Sequence, residues 1–348
     1  MAYHSITLLK WDTKIIDNTI DKYNIITRKI GRYHMDKKPL IILTGPTSVG
    51  KTALSIALAK AVNGEIISAD SMQVYKQMDI GTAKITKDEM EGIAHYLIDE
   101  LEPWEDFNVV KFQQLAKHYM NEIYAKSKVP ILVGGTGFYI QAVLYDIDFT
   151  ENETDNEYRA HLEQLLQDRG AQYLHDLLVK ADPKSAEVIH PNNSKRVIRA
   201  LEYLKLTGDQ ISSHNEEQRK KESPYQFCYF VLNKHRGKLY ETINQRVDLM
   251  MEKGLLEEVK YLADQGYTKE MVSMQGLGYK ELLAHLEGEY TLEEAVEVLK
   301  RDTRHFAKRQ LTWFKREKDV IWVDKDKLST EEELLEFLLK NLKENNVI

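Results

Sequence analysis

The chain has 348 residues, 43% of them hydrophobic and 30% charged, with a formal net charge of −7. That length supports a large core and suggests two domains, and the composition excludes a fibrous or disordered chain. One cysteine, Cys228, excludes an internal disulfide and a Cys-x-x-Cys metal site. No apolar run reaches the roughly 18 residues of a membrane-spanning helix, so no membrane association is expected. The first 34 residues lack the apolar centre of a signal peptide, which makes the cytoplasm the expected compartment. The bulk charge gives no support to nucleic-acid binding, and any such case rests on local clustering.

Residues 1–34 show no clear helix or strand period and read as an extension without core function, with Met35 as the expected natural start. Leu40–Leu43 reads as a buried parallel strand. It runs into Gly45-Pro46-Thr47-Ser48-Val49-Gly50-Lys51-Thr52, a G-x-x-x-x-G-K-T phosphate loop of the ATP-binding type. Gly45 and Gly50 permit the backbone angles that point successive N–H groups inward, and the helix N-terminus behind them adds to the anion cradle. Lys51 supplies a cation for terminal phosphate oxygens, and the Thr52 hydroxyl is placed for Mg²⁺. The loop signals a polyphosphate without saying which.

A helix over Lys51–Asn63 is expected, with Leu54, Leu58 and Ala61 on one face and Gly64 as its stop. Glu65–Ser68 reads as a second strand delivering Asp70 to its carboxyl end, the edge where open α/β sheets bind ligands. There Asp70 can hold Mg²⁺ through water, act as a general base, or merely cap the following turn. Thr82 and Lys84 are equally open to a site or a solvated-loop reading. His95–Ile98 is an expected strand, and Asn108 an N-cap for a helix to about Ser127 with Val110, Leu115, Met120 and Ile123 on its apolar face. Pro130–Val133 is another strand, ending in Gly134-Gly135-Thr136, a tight turn with or without a ligand. This alternation of strands and helices predicts an α/β fold, a doubly wound parallel sheet of the P-loop type.

Residues 35–146 form the first part of that core. From 147 to 223 the character changes: Phe149–Asn156 is acidic, and helices are expected at Tyr158–Arg169, Ala171–Val179, Pro183–Val188 and Ser194–Thr207 without a strand. This is read as a small all-helical insertion domain. Residues 224–348 return to the core, with a strand at Phe227–Leu232, helices at Gly237–Lys253 and Leu255–Ala263, and a capping box at Thr291–Glu294 opening a helix to about Arg316. A last strand at Val320–Val323 and a terminal helix at Thr330–Asn345 complete the helical C-terminal region. Eight cations crowd positions 300–318: Lys300, Arg301, Arg304, Lys308, Arg309, Lys315, Arg316 and Lys318, interleaved with His305, Phe306 and Trp313. They read either as an RNA-facing surface or as a solvated helix face. No Ser-His-Asp order, paired glycosidase carboxylates or histidine-rich metal site is legible.

Several motifs combine into a resemblance. GPTSVGKT at Gly45–Thr52, DSMQVY at Asp70–Tyr75, MDIGTAK at Met78–Lys84, GGTGFY at Gly134–Tyr139 and KRVIRALE at Lys195–Glu202 are similar to those of the bacterial tRNA dimethylallyltransferases. So are INQRVDLM at Ile243–Met250, GLGYKE at Gly276–Glu281 and TRHFAKRQLTWF at Thr303–Phe314. The resemblance implies Mg²⁺-dependent transfer of a dimethylallyl group from dimethylallyl diphosphate to N6 of the adenosine just 3′ of the tRNA anticodon. It implies that Lys51, Thr52 and Arg246 serve the diphosphate and that Asp70 accepts the N6 proton. It also places tRNA contacts at Asp70, Ser71, Met72, Gln73, Thr136, Arg159, Lys195, Arg196, Val197, Ile198 and Arg199, and at Gln275, Gly276, Leu277, Gly278, Tyr279 and Lys280. The basic helix adds Arg304 and Lys308. The partners are then the tRNA anticodon stem-loop and the prenyl donor, with the protein working as a monomer. Thr242 and Lys315 depart from the family pattern, which often has arginine at both. Two other classes compete: a small-molecule ATP kinase using the same loop, against which stand the basic helix and the lack of an arginine-rich lid, and a non-catalytic P-loop RNA-binding module, against which stands Asp70.

Overall fold

The computed structural model describes residues 37–149, 156–218, 220–328 and 330–348. The proposed extension over residues 1–34, the start at Met35 and most of the acidic stretch after Phe149 lie outside the described residues. Six strands form one sheet: β1 (Lys38–Thr44), β2 (Gly64–Ala69), β3 (His95–Tyr96), β4 (Val129–Gly134), β5 (Tyr225–Asn233) and β6 (Val320–Asp324). They run in the order β3-β2-β4-β1-β5-β6, and every pairing is parallel. The doubly wound P-loop arrangement is therefore realised. All the strands deliver their carboxyl ends to one edge.

The central strand shows why the sheet is covered on both faces. Leu40 and Ile42 of β1 face one hydrophobic cluster, and Ile41 and Leu43 face another. All four are fully buried. A strand buried on both sides reads as a continuous apolar run, and helices must lie on both faces. Helix α1 (Lys51–Val62) covers the second face together with the terminal helix α12 (Glu331–Glu344), through Leu54, Ile56, Leu58 and Leu334, Leu338, Leu342. Helices α2 (Val109–Ala125) and α3 (Gly137–Leu144) cover the first face. Asn108 caps α2 as expected, its Oδ1 accepting from the amides of Val110 and Lys111 at 3.0 Å each.

Two local expectations change. The stop of α1 is Asn63, in the left-handed region at φ 52°, and Ala61 is exposed. Gly64 instead opens β2, where a Cβ would lie 2.9 Å from the Val129 carbonyl, so its bareness serves strand packing. The strand expected over His95–Ile98 ends at Tyr96, because Leu97 takes φ 61° and leaves the extended region.

The segment between β4 and β5 holds α4 (Asn156–Ala181), α5 (Pro183–Val188), α6 (Ser194–Thr207) and α7 (Ile211–Gln218). Gly170, at φ 81° and ψ 169°, breaks α4 where two separate helices are expected. Leu162, Leu174, Leu178, Val197, Ile198 and Leu201 make a cluster of their own, apart from the two sheet clusters. Helix α7 is polar, buries no residue and carries no apolar period, which is why the sequence does not reveal it. After β5 come α8 (Arg236–Glu252), α9 (Leu255–Asp264), α10 (Tyr279–Leu286) and α11 (Leu292–Phe314). The Thr291–Glu294 capping box is present, with reciprocal bonds of 2.9 and 3.2 Å. Helix α10 is another element the sequence does not reveal.

Candidate active site

The loop between β1 and α1 has the geometry its glycines predict. Gly45 sits at φ 147° and Gly50 at φ 89°. A Cβ on Gly45 would approach the Leu232 carbonyl to 2.6 Å, so that glycine is fixed by space as well as by angle. Ser48 is held at φ 63°, and its buried hydroxyl has no protein partner; a phosphate oxygen would supply one. Lys51 folds back over the loop, its Nζ 3.0 Å from the carbonyls of Gly45 and Pro46. Desolvation lowers its pKa to about 8; the nearby Arg246 charge pushes the same way, and Asp70 opposes both. Thr52 stands exposed at the helix N-terminus.

Asp70 emerges from β2, two strands along from the loop. The Asp70 Oδ1 atom accepts from the Met72 amide at 2.9 Å, which is the turn-capping role. Its charge also acts on the half-buried Arg246 guanidinium, whose pKa desolvation pushes down and Asp70 raises. The turn amide thus holds a carboxylate whose charge acts on both Lys51 and Arg246. Capping and a place in the site are compatible, because one oxygen suffices for the turn.

The glycine turn after β4 is explained by packing. A Cβ on Gly134 would sit 2.2 Å from the Ala69 carbonyl, one on Gly135 2.2 Å from Nε2 of Gln310, and one on Gly137 2.2 Å from the Trp313 ring. Gln310 is the residue the sequence reading does not single out. Its Nε2 donates to the Gly135 carbonyl at 3.0 Å, and its Oε1 accepts from the Thr47 amide at 2.9 Å. One buried side chain therefore locks α11 to the phosphate loop and to the β4 turn. A signal exists: Gln310 shares the buried stripe of Thr303, Ala307 and Phe314 at helical spacing.

The remaining candidates divide into three groups. Lys195, Arg196, Arg199, Gln275 and Lys308 are exposed. Others are half-buried and engaged. Arg159 pairs with Glu202 at 3.3 Å and Glu163 at 3.2 Å; Arg304 donates to Asn244 at 2.7 Å; Lys280 lies 3.4 Å from Glu281; Gln73 accepts from Ser68 at 3.0 Å. Ser71, Met72, Thr136 and Leu277 are also half-buried. Val197, Ile198 and Tyr279 are corrected: all three side chains are buried and closed to an RNA. Val197 and Ile198 fill the insertion's cluster, because they sit on the inner face of α6. The Tyr279 hydroxyl donates to Glu258 at 2.6 Å, and Glu258 also takes the amides of Asp79, Ile80 and Gly81. Gly276 and Gly278 are buried as well, leaving little of that turn open. Lys84, an open candidate, is structural: its Nζ contacts Asp79, Asp99 and the Tyr75 carbonyl.

Comparison with known proteins decides the family. The sequence profile described as IPP transferase matches residues 73–317. A tRNA dimethylallyltransferase of Lachnoclostridium phytofermentans is 65% identical over 311 residues, covering 89% of this chain and 99% of that one. The chain belongs to the tRNA dimethylallyltransferase (IPP transferase) family. Another member, from Clostridioides difficile, is 51% identical over 89% of this chain and 99% of its own length. The crystal structure of the tRNA isopentenylpyrophosphate transferase of Bacillus halodurans is 47% identical, with a TM-score of 0.67, over 89% of this chain and 98% of that chain. A eukaryotic dimethylallyltransferase captured acting on tRNA is 32% identical, with a TM-score of 0.75, over 89% of this chain and 80% of its own. The family's members are transferases, and a kinase reading is not favoured.

A divalent cation fits the donor set in one manner only. Among the described residues, no three His, Cys, Asp or Glu side chains converge to hold a metal. An ion such as Mg²⁺, which takes one or two protein ligands and completes its shell with substrate phosphate and water, would not need such a cluster. The exposed Thr52 hydroxyl is the protein ligand available beside the loop.

Proposed function

We propose that this protein transfers the dimethylallyl group of dimethylallyl diphosphate to N6 of the adenosine just 3′ of the anticodon of a tRNA, releasing diphosphate. The observation that carries this reading is the meeting of Asp70, Lys51 and Arg246 beside the phosphate loop, close enough that the Asp70 charge acts on both cations and the Arg246 charge on Lys51. A base and an anion site lie together, as attack by an exocyclic amine on a diphosphate ester requires. N6 forms a bond to C1 of the donor while the C1–O bond breaks, and the electron pair leaves with diphosphate. Loop amides, Lys51 and Arg246 take up the charge that develops on the leaving oxygens. Mg²⁺, held by Thr52 and phosphate oxygens, would add Lewis-acid stabilisation of the same charge. Asp70, oriented by the Met72 amide, accepts the N6 proton. The adenine must leave its stack to reach this edge, as a base undergoing chemistry does. In this reading the enzyme is a monomer of the cytoplasm.

The test combines purified protein, Mg²⁺, labelled dimethylallyl diphosphate and unmodified tRNA. Label should enter tRNA, and Asp70→Ala should lower kcat about 10²–10⁴-fold while tRNA affinity stays near the wild-type value. No label in tRNA, with ATP-dependent phosphorylation of a metabolite instead, would sink the transferase reading. Lost tRNA binding with an unchanged rate for bound tRNA would sink the base assignment.

A further inference from the structure

Helix α9 sends one carboxylate to the loop that follows the Asp70 turn. Glu258 Oε2 accepts from the amides of Asp79 at 2.9 Å and Ile80 at 2.8 Å. Its Oε1 accepts from the Gly81 amide at 3.0 Å and from the Tyr279 hydroxyl at 2.6 Å. Three successive amides turned toward one point make an anion nest, and a charged acceptor gives the stronger bonds. Here the nest is filled by a side chain 177 to 179 positions further along the chain. Four donors occupy the two oxygens, so the Asp79–Gly81 backbone is tied at once to α9 and to the start of α10.

That backbone leads back to the reaction centre. The Thr82 hydroxyl donates to the Met78 carbonyl at 2.6 Å, and the Ala83 and Lys84 amides donate to the Ile80 and Asp79 carbonyls at 3.0 and 2.9 Å. The carbonyls of Thr82 and Ala83 are thereby fixed. Gln73 Nε2 donates to them at 3.3 and 3.5 Å, while Gln73 Oε1 accepts from the Ser68 hydroxyl at 3.0 Å. Both Nε2 bonds are long, so a small displacement of the loop breaks them. Gln73 stands three residues after Asp70 and is half-buried. The packing around it is close. A Cβ on Gly81 would lie 2.6 Å from the Tyr279 ring, one on Gly276 2.6 Å from the Met72 methyl group, and one on Gly278 3.4 Å from Leu255. Helix α9, the Asp79–Ala83 loop and the Gly276–Tyr279 turn therefore form one block against the Asp70–Gln73 segment.

We infer that Glu258 is a positioning residue of the transfer reaction. It fixes the Asp79–Ala83 backbone, that backbone holds Gln73, and Gln73 sets the reacting adenine against Asp70. The inference rests on the transferase reading for the identity of the base. Both oxygens of Glu258 are occupied, so it acts through Gln73 and not on a substrate. Bringing N6 into line with C1 of the donor is sensitive to displacements of about 1 Å, which is what such a support controls.

A double-mutant cycle of Glu258→Gln with Gln73→Ala tests this, read in kcat/KM for tRNA at saturating donor. Glu258→Gln places an amide donor against backbone N–H groups and frees the loop. It should lower kcat/KM for tRNA about 10–10²-fold. Inorganic diphosphate binding by calorimetry should stay at the wild-type value, because the phosphate loop lies two strands away. In the Gln73→Ala background the same substitution should cost less than about twofold. Tyr279→Phe removes one of the four bonds and keeps the carboxylate. It should show the same pattern with a loss of about three- to tenfold, and it carries the cycle if Glu258→Gln does not fold. Equal losses in both backgrounds would overturn the proposal, since a purely structural glutamate lowers both alike. So would a wild-type kcat/KM in Glu258→Gln, or a loss of diphosphate binding, which would assign Glu258 to the phosphate loop. A wild-type enzyme that binds tRNA without prenylating it would defeat the transferase reading alone. The same cycle in tRNA affinity would then judge whether Glu258 acts through Gln73.

Discussion

At the scale of single residues, Lys51 shows how surroundings tune an ordinary ammonium group. It sits among loop carbonyls near Arg246, and burial lowers its pKa to about 8. Below that pH the side chain is charged, the form in which the proposed diphosphate role needs it; above it the charge fades. KM for the prenyl donor should therefore climb as pH rises through about 8, and Lys51→Ala should abolish that dependence and lower kcat about 10²–10³-fold. A pH-independent donor KM in the wild-type enzyme would remove Lys51 from the diphosphate site. Linkage gives the matching stability trend for the free protein. The folded state holds the lysine proton less tightly than the unfolded chain, whose pKa is near 10.5, so stability from this group rises with pH between about 8 and 10.5. Asp70 teaches a different lesson. Its position after a strand is legible in sequence, but its two duties, one oxygen for a turn and a charge for the site, appear only once Met72, Lys51 and Arg246 are placed.

Among the elements, α11 does the most to join the chain's parts. Its cations are visible in sequence, and they read equally as a solvated face or an RNA surface. In the structure the helix has an inner stripe of Leu299, Thr303, Ala307, Gln310 and Phe314 that packs against the core. Lys308 and Lys315 stand on another side, lining a cleft with Lys234 and Arg236. Trp313 is half-buried, and one edge of its ring packs on Gly137. Gln310→Ala should destabilise the fold by about 1–3 kcal/mol, because it strands a buried carbonyl at Gly135 and an amide at Thr47. It should also weaken diphosphate binding, since the loop loses its tie to the helix. Denaturant unfolding and donor KM together check this; a loss of stability with an unchanged KM would show that the tie does not shape the loop. The glycines at 134, 135 and 137 carry the same message. Their motif is readable, and its cause is close packing that no local pattern reveals.

For the whole molecule, the sheet places β1, β2, β4, β5 and β6 side by side, so residues far apart in sequence open onto one edge. Burial at the junction of α3, β5 and the end of α11 has a titratable consequence. Glu317 lies near Tyr145 and Tyr229, and burial pushes its pKa up to about 7. The folded state thus holds a proton that the unfolded chain releases near 4.5. This group's stabilising contribution is complete below about pH 4.5 and is lost as pH rises through 7. Glu317→Gln should raise the melting temperature at pH 8 and leave it nearly unchanged at pH 4.5. An equal effect at both pH values would show that folding does not raise the Glu317 pKa.

Length, composition and pattern by themselves determined the parallel α/β class, the glycine loop after β1, the run of helices between β4 and β5 and the place of Asp70 at the end of β2, since each depends on short-range periodicity or on residues at fixed spacing. The family, too, was legible, because its motifs keep their order along the chain. Tertiary structure alone decided which candidates face outward and which are buried, as with Val197, Ile198 and Tyr279. It also revealed Gln310 and Glu258 as ties between distant segments, and gathered Lys234, Arg236 and Lys315 into one cleft. The physical reason is that burial and hydrogen bonding are satisfied by partners tens or hundreds of residues away: Thr47 finds Gln310 across 263 positions. The crossing order of the strands, rather than any local signal, determines which charges become neighbours.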